Sequence, residues 1–379
     1  MPLVDDPTLR ASIAAVVAEI VEAVDAADDS TIDGCCDRAV LHAYLASDDL
    51  AAADGAALVR ATGMLATRPR AGLHGGSARI GWTLAHLGEG DGVESVLAPL
   101  DDAFLAMLAE PRLHEHDLIS GLVGIGVYAL ERGDAGRRLA SQVLAHLEAS
   151  ARPRRGGLAW YTPARQHWDL GMAHGSPGVI ALCARLVGRD IEASRARILL
   201  DAGVHHLLAC VPANPGGRYP AWQLDDGDSP GPRSQLAWCY GDLGVACALA
   251  AAARVEPAWR EPALALALDC VRRDGAEAFI DDAGLCHGAA GVAHAFHRLA
   301  QTTGDASCAS AARSWVTKTL AMRTALPVAG FPAFARTDRA FRADAGLLDG
   351  AAGVALALHA TISEVDPAWD RLLLLDLAD

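Results

Sequence analysis

Two short stretches of the chain carry a cysteine in the same register. Cys239 stands two residues before Gly241 in WCYGDLG, and Cys286 stands two residues before Gly288 in LCHGAAG, where His287 follows it. Two sulfurs and one imidazole make a donor set that suits zinc. Three protein ligands leave a fourth position open, as catalytic sites do. Two thiolates cancel the formal charge of a divalent ion and weaken it as a Lewis acid toward water. Such a centre is better matched to an incoming thiol, taken up as a nucleophilic thiolate, than to making hydroxide. A Cys-His dipeptide alone is a weak motif, and most cysteines are core residues; the shared register is what lifts this pair. Cys35, Cys36, Cys183, Cys210, Cys247, Cys270 and Cys308 fall inside helix patterns and read as inert.

His174 takes the equivalent place before Gly175, without a cysteine ahead of it. It reads as an acid/base group with a useful pKa, or as a histidine that caps a helix or supports the metal site. Asp117, four residues before Gly121, reads equally as its partner carboxylate or as an N-cap. His74, His114, His116, His294 and His297 have no comparable register and read as surface or core residues.

These residues all sit just ahead of one recurring pattern: a glycine, two small or apolar residues, often a second glycine, then an apolar helix. Seven copies begin at Gly34, Gly76, Gly121, Gly175, Gly241, Gly288 and Gly350. The second glycine is Gly124, Gly178, Gly244, Gly291 and Gly353 in the last five copies; Asp37 and Arg79 replace it in the first two, the degeneracy expected of terminal repeats. Between the motifs lie amphipathic segments, such as 6–26, 92–108, 134–151, 191–209 and 305–324. In the first, Leu9, Ile13, Val16, Val17, Ile20, Val21 and Val24 share one stripe. The motif helices, apolar nearly all round, read as an inner layer and the amphipathic ones as an outer layer. Seven such hairpins, with no β-rich run, predict an all-α fold: an α/α toroid forming a single domain over residues 1–379. Glycine and alanine at the inner helix starts favour a closed ring with a crowded axis over an open solenoid. The Pro/Gly-rich insertions 211–233 and 326–345 are expected at the mouth of the ring.

The 379 residues, 52% of them apolar, are enough for a large core, which excludes disorder. The 32 basic and 47 acidic residues give a net charge of −15, and Lys318 is the lone lysine. Nucleic-acid binding and docking on anionic lipid are therefore excluded as leading functions. The acidic start MPLVDDPTLR has no secretory pattern, so a cytosolic location is expected. The apolar stretch 236–253 carries Asp242 and two glycines and reads as a buried helix; no transmembrane segment is expected.

The set WCYGDLG, LCHGAAG, MAHGSPG (172–178) and HDLISGLVGIG (116–126) resembles the lanthionine synthetase C-like family, the LanC cyclases, over the whole chain. The resemblance implies zinc held by Cys239, Cys286 and His287, and intramolecular addition of peptide cysteine thiols to dehydroalanine or dehydrobutyrine. It assigns acid/base roles to His174 and Asp117, without saying which performs each step. A substrate thiolate would attack the β-carbon, and the enolate would be protonated at the α-carbon, closing a lanthionine or methyllanthionine ring with no organic cofactor. The implied partners are a dehydrated precursor peptide and a lanthipeptide dehydratase, and the cytoplasmic protein is expected to be able to join a membrane-associated biosynthetic complex. Family members commonly have an arginine four residues before the first zinc cysteine; here that place holds Gln235, with Arg233 two residues earlier. Either Arg233 substitutes, or the substrate is handled differently.

Two other functions fit the same residues. One is addition of a free small-molecule thiol to dehydroamino acids in proteins. The other is a non-catalytic scaffold that binds a peptide or dehydratase around a structural zinc. A toroid glycosidase fits less well, because the rim offers cysteines where a carboxylate pair is needed.

Overall fold

The computed structural model describes residues 2–27, 30–45, 55–66, 70–88, 90–110, 114–210, 219–224, 231–273 and 277–377. Among these, seven outer helices, α1 (Pro7–Ala26), α3 (Gly55–Gly63), α5 (Asp91–Ala109), α7 (Arg137–Ser150), α9 (Ala193–Ala209), α11 (Arg260–Val271) and α13 (Ala306–Ala321), alternate along the chain with seven inner ones. The inner helices are α2 (Ile32–Leu45), α4 (Ser77–Leu87), α6 (Leu122–Glu131), α8 (Ser176–Gly188), α10 (Asp242–Val255), α12 (Ala289–Thr303) and α14 (Ala351–Ile362). Each inner helix packs on the next, and α14 packs back on α2. The ring is closed, an α/α toroid. No described helix is long and apolar enough to cross a membrane.

The two layers follow from the two kinds of sequence. In α1, Asp6 caps the helix by accepting from the Leu9 amide at 2.7 Å, Pro7 occupies the first turn, and Ile13, Val16, Val17, Ile20 and Val24 are buried on one face. In α10, by contrast, every residue from Asp242 to Ala253 is buried. Six inner helices start at a glycine N-cap in extended conformation, with no side chain to cap the helix. The free helix-start amides turn instead to the preceding loop, seven residues upstream: Ser77 to Arg70 O (2.7 Å), Leu122 to Glu115 O (2.8 Å), Gly244 to Ala237 O (3.1 Å), Ala289 to Asp282 O (2.9 Å) and Ala351 to Asp344 O (3.0 Å).

This folding of loop onto helix explains the paired glycines. A Cβ on Gly241 would come within 2.3 Å of the Ala237 carbonyl oxygen, and one on Gly244 within 2.1 Å of that of Trp238. The glycines thus answer to close approach of each helix start to its own loop, rather than to crowding at the axis. Gly34 differs: α2 starts two residues earlier, and the Gly34 amide is taken by the Thr31 hydroxyl at 3.0 Å. The two positions that lack a second glycine face each other. Arg79 and Asp37 form a buried ion pair, and Asp37 also accepts from the Leu347 amide at 2.8 Å, tying the first repeat to the last across the closure.

The C-terminal stretch fills the lower part of the ring. Around the 3-10 turn Ala368–Leu373, Asp370 pairs with His294 (2.8 Å) and Arg298 (2.6 Å), Arg371 reaches Glu131 (3.1 Å), and Leu373 O accepts from the Trp238 indole (2.9 Å). The loops that lead into the inner helices gather at the other end, joined by backbone hydrogen bonds.

Short strands absent from the sequence-based expectation decorate that end. β1 (Arg152–Arg154) pairs with β2 (Gly157–Ala159); β3 (Tyr161–Thr162), β4 (His167–Asp169) and β5 (Trp222–Gln223) form an antiparallel sheet; β6 (Ala333–Ala335) pairs with β7 (Ala340–Arg342). Strands of two or three residues are too short to show alternation. Insertion 326–345 supplies β6 and β7, and the described part of 211–233 supplies β5; residues 211–218 and 225–230 lie outside the described residues.

Candidate functional site

The loops ahead of the motif glycines are stitched into a rim by backbone hydrogen bonds running from one repeat to the next. His74 N donates to Ile119 O (3.0 Å), Leu118 N to Ala173 O (2.9 Å), Ala173 N to Cys239 O (3.3 Å), Cys239 N to Cys286 O (3.2 Å) and Cys286 N to Leu348 O (2.7 Å). This chain of contacts fixes the side chains singled out by their register.

Cys239, Cys286 and His287 come together, each offering a ligand atom within 4.8 Å of the others. Cys239 is buried and Cys286 half-buried. A hydrogen bond from Cys286 and the facing His287 hold the Cys239 thiol down to about 5 against the opposing effect of burial. The Cys286 thiol is pushed well up by the neighbouring Cys239 and by burial. Burial lowers the His287 pKa, but the Cys239 thiolate, Asp282 and Asp349 outweigh it and raise it to about 9. By contrast, burial pushes the thiols of Cys36, Cys183, Cys210, Cys247, Cys270 and Cys308 up. Two carboxylates flank the imidazole: Asp282 Oδ2 is 3.8 Å from Nε2, and Asp349 Oδ1 is 3.6 Å from Nδ1. Asp349 Oδ1 is buried with no hydrogen-bond partner, and Asp282 is held by the Gly284 and Phe334 amides at 3.1 and 2.8 Å. Two convergent thiols and an imidazole with carboxylates behind it fit a zinc ion.

His174 and Asp117 also meet, Nδ1 to Oδ1 at 3.7 Å. Burial raises the Asp117 pKa, but the facing His174 imidazole and the hydrogen bonds from Ser120 outweigh it and keep the carboxyl below its usual range. The Ser120 amide donates to Asp117 at 2.8 Å within the loop; the N-cap of α6 is Gly121, so Asp117 does not cap the helix and instead faces His174. The two clusters adjoin: the Tyr240 ring, one residue past Cys239, lies 5.4 Å from the His174 ring, and Arg165 on the β3–β4 turn donates to the Tyr240 hydroxyl.

Two further histidines belong to this neighbourhood. His116 is buried and interacts with the His174 backbone, and His74 feels the charges of Asp117 and His174; burial lowers their pKa values to about 4 and about 3. Both sit in pre-glycine loops: His74 stands two residues before Gly76, the offset that Cys239 and Cys286 also occupy and that the sequence reading did not use, whereas His116 stands five before Gly121, an offset no other copy repeats with a histidine. His294 and His297 are buried in the core. The Arg233 guanidinium packs 5.2 Å from the Phe279 ring centre. The cation that meets Gln235 is Arg336, next to β6: with its amide oxygen turned inward, Gln235 accepts from Arg336 Nη2 at 2.8 Å, while that nitrogen also donates to Asp281 at 2.8 Å.

Comparison with known proteins agrees with this architecture. No curated protein matches the sequence. Among solved structures, a nisin cyclase superposes with a TM-score of 0.74 at 16% identity, covering 98% of each chain, which establishes likeness of fold. A family model described as lanthionine synthetase C-like protein matches residues 27–374. The chain belongs to the lanthionine synthetase C-like family.

Proposed function

We propose that this protein is a zinc-dependent cyclase that adds cysteine thiols of a dehydrated peptide to dehydroalanine or dehydrobutyrine, closing thioether rings. The observation that carries the reading is the convergence of Cys239, Cys286 and His287 at two adjacent inner-helix starts, beside the His174–Asp117 pair. Zinc bound there would supply Lewis-acid activation of a substrate thiol.

The chain's own residues account for the remaining proton traffic. Asp117, kept ionised by Ser120 and His174, fixes the imidazole through Nδ1 and leaves Nε2 to carry a proton to the α-carbon of the enolate formed when sulfur bonds to the β-carbon. The balance is neutral: the thiol loses one proton, the α-carbon gains one, and one C–S bond replaces the C=C π bond. Arg165, Tyr240 and Trp222 line the mouth on this side, where aromatic faces and one cation can hold a peptide. Mixing the protein with a dehydrated, cysteine-containing peptide and counting free thiols by alkylation and mass tests the reading. Loss of alkylatable thiol at unchanged peptide mass supports it; retention of every thiol contradicts it.

A further inference from the structure

A cavity of about 880 Å³ opens at the end of the ring where α8, α10 and α12 terminate, away from the Cys239–Cys286–His287 cluster. The 14 residues of α10 separate it from Cys239 by roughly 20 Å, at 1.5 Å per residue. Its lining includes Arg185, Arg189, Arg254, Arg260 and Arg371, with Asp376 as the one carboxylate among the described residues. In a chain of net charge −15, that is a local reversal of sign inside a concave wall, the arrangement that focuses positive potential.

Capping of helix C-termini explains part of this set. Arg185 and Arg254 lie in the last turns of α8 and α10, and Arg189 is the C-cap of α8; cations there complement the helix dipoles. Arg185 also binds Asp376, and Arg371 binds Glu131. Arg260 is not explained this way. It is the first residue of α11, where the helix end is positive and a cation is disfavoured, and among the described residues its side chain has neither a hydrogen bond nor an ion pair. An exposed guanidinium of unfavourable sign for its helix, facing a cavity shared with four more, is accounted for by an anion that neutralises them together.

We infer that this cavity is a binding site for a small multivalent oxyanion, a molecule with several phosphate or carboxylate groups, separate from the thiol-addition site. Guanidinium forks recognise both groups through paired hydrogen bonds. Isothermal titration of the full chain with inorganic tripolyphosphate and with citrate, each against sulfate at equal ionic strength, tests it. Saturable binding of tripolyphosphate in preference to citrate assigns a phosphate ligand, and the reverse order a polycarboxylate. Arg260→Ala combined with Arg189→Ala weakens either by roughly tenfold or more. Arg260 is exposed and its side chain has no partner among the described residues, so Arg260→Ala alone leaves ligand-free melting unchanged, whereas Arg189→Ala also removes a hydrogen bond to Leu130 O; Arg260→Lys keeps most of the binding, and Arg260→Glu abolishes it. The inference is overturned if neither probe binds more tightly than sulfate, or if the double variant and Arg260→Glu bind like the parent.

Discussion

Nδ1 of His174 stands 3.7 Å from Oδ1 of Asp117, and that carboxylate is itself pinned by the Ser120 amide. The pair joins the third and fourth repeats, whose loops are held together by the hydrogen bond from Leu118 N to Ala173 O. A positioned imidazole with a fixed outer nitrogen is what proton delivery to carbon requires.

His174→Ala is expected to lower the turnover of ring closure by roughly 10²–10⁴-fold. Asp117→Asn, which keeps the turn contact with Ser120 but not the charge, should cost less. Steady-state kinetics on a dehydrated peptide checks both. Unaltered turnover in His174→Ala would remove it from the mechanism.

The Arg79–Asp37 pair is buried, and removing one partner strands the other. Asp37→Ala should destabilise the fold by about 3–5 kcal/mol, while the double change to apolar residues of similar size recovers much of that loss. Urea unfolding of the two single variants and the double measures it as a thermodynamic cycle.

Gly244→Ala forces a methyl against the Trp238 carbonyl, on the loop that carries Cys239. A cost of about 1–3 kcal/mol is expected, with weaker metal uptake in proportion to the distortion. Gly188→Ala, where the nearest atom stands at 3.9 Å, should be tolerated in both assays. Equal melting temperatures and equal metal affinities for the two variants would contradict this account of the paired glycines.

Asp370 is fully buried. Burial raises its pKa, but Arg298 and His294 overcome that and hold it down to about 2. A carboxyl whose folded pKa lies below its unfolded value of about 3.9 contributes stability above that pH and loses it as the pH falls toward 2. About 2 kcal/mol should disappear over this window in the parent protein. The loss should be missing in Asp370→Asn, which is less stable throughout; denaturant titrations at stepped pH show whether the slopes differ.

Much of this was legible in the sequence because each repeat is local. The glycine spacing announced the inner helices, and the common offset of Cys239 and Cys286 announced that they would meet. The rest depends on contacts between distant segments. That Asp37 and Arg79 replace the same glycine was readable, but that they pair follows only from closure of the ring. Arg336 meets Gln235 from a hairpin about a hundred residues downstream, which no local pattern reports. His74 shares the register of Cys239 and Cys286, a signal that was readable, but that it and His116 lie beside Asp117 and His174 follows only from the rim hydrogen bonds. The C-terminal leucines, likewise, gave no sign that they fill the ring from below.

The central claim is that Cys239, Cys286 and His287 hold one zinc ion. Zinc per chain, measured by inductively coupled plasma mass spectrometry after equilibration with zinc and removal of excess, tests it most directly. The account predicts close to one zinc per chain in the parent protein and a large loss in Cys286→Ala and His287→Ala variants that remain folded by circular dichroism. Stoichiometry well below one in the parent, or one zinc retained in both variants, would contradict it.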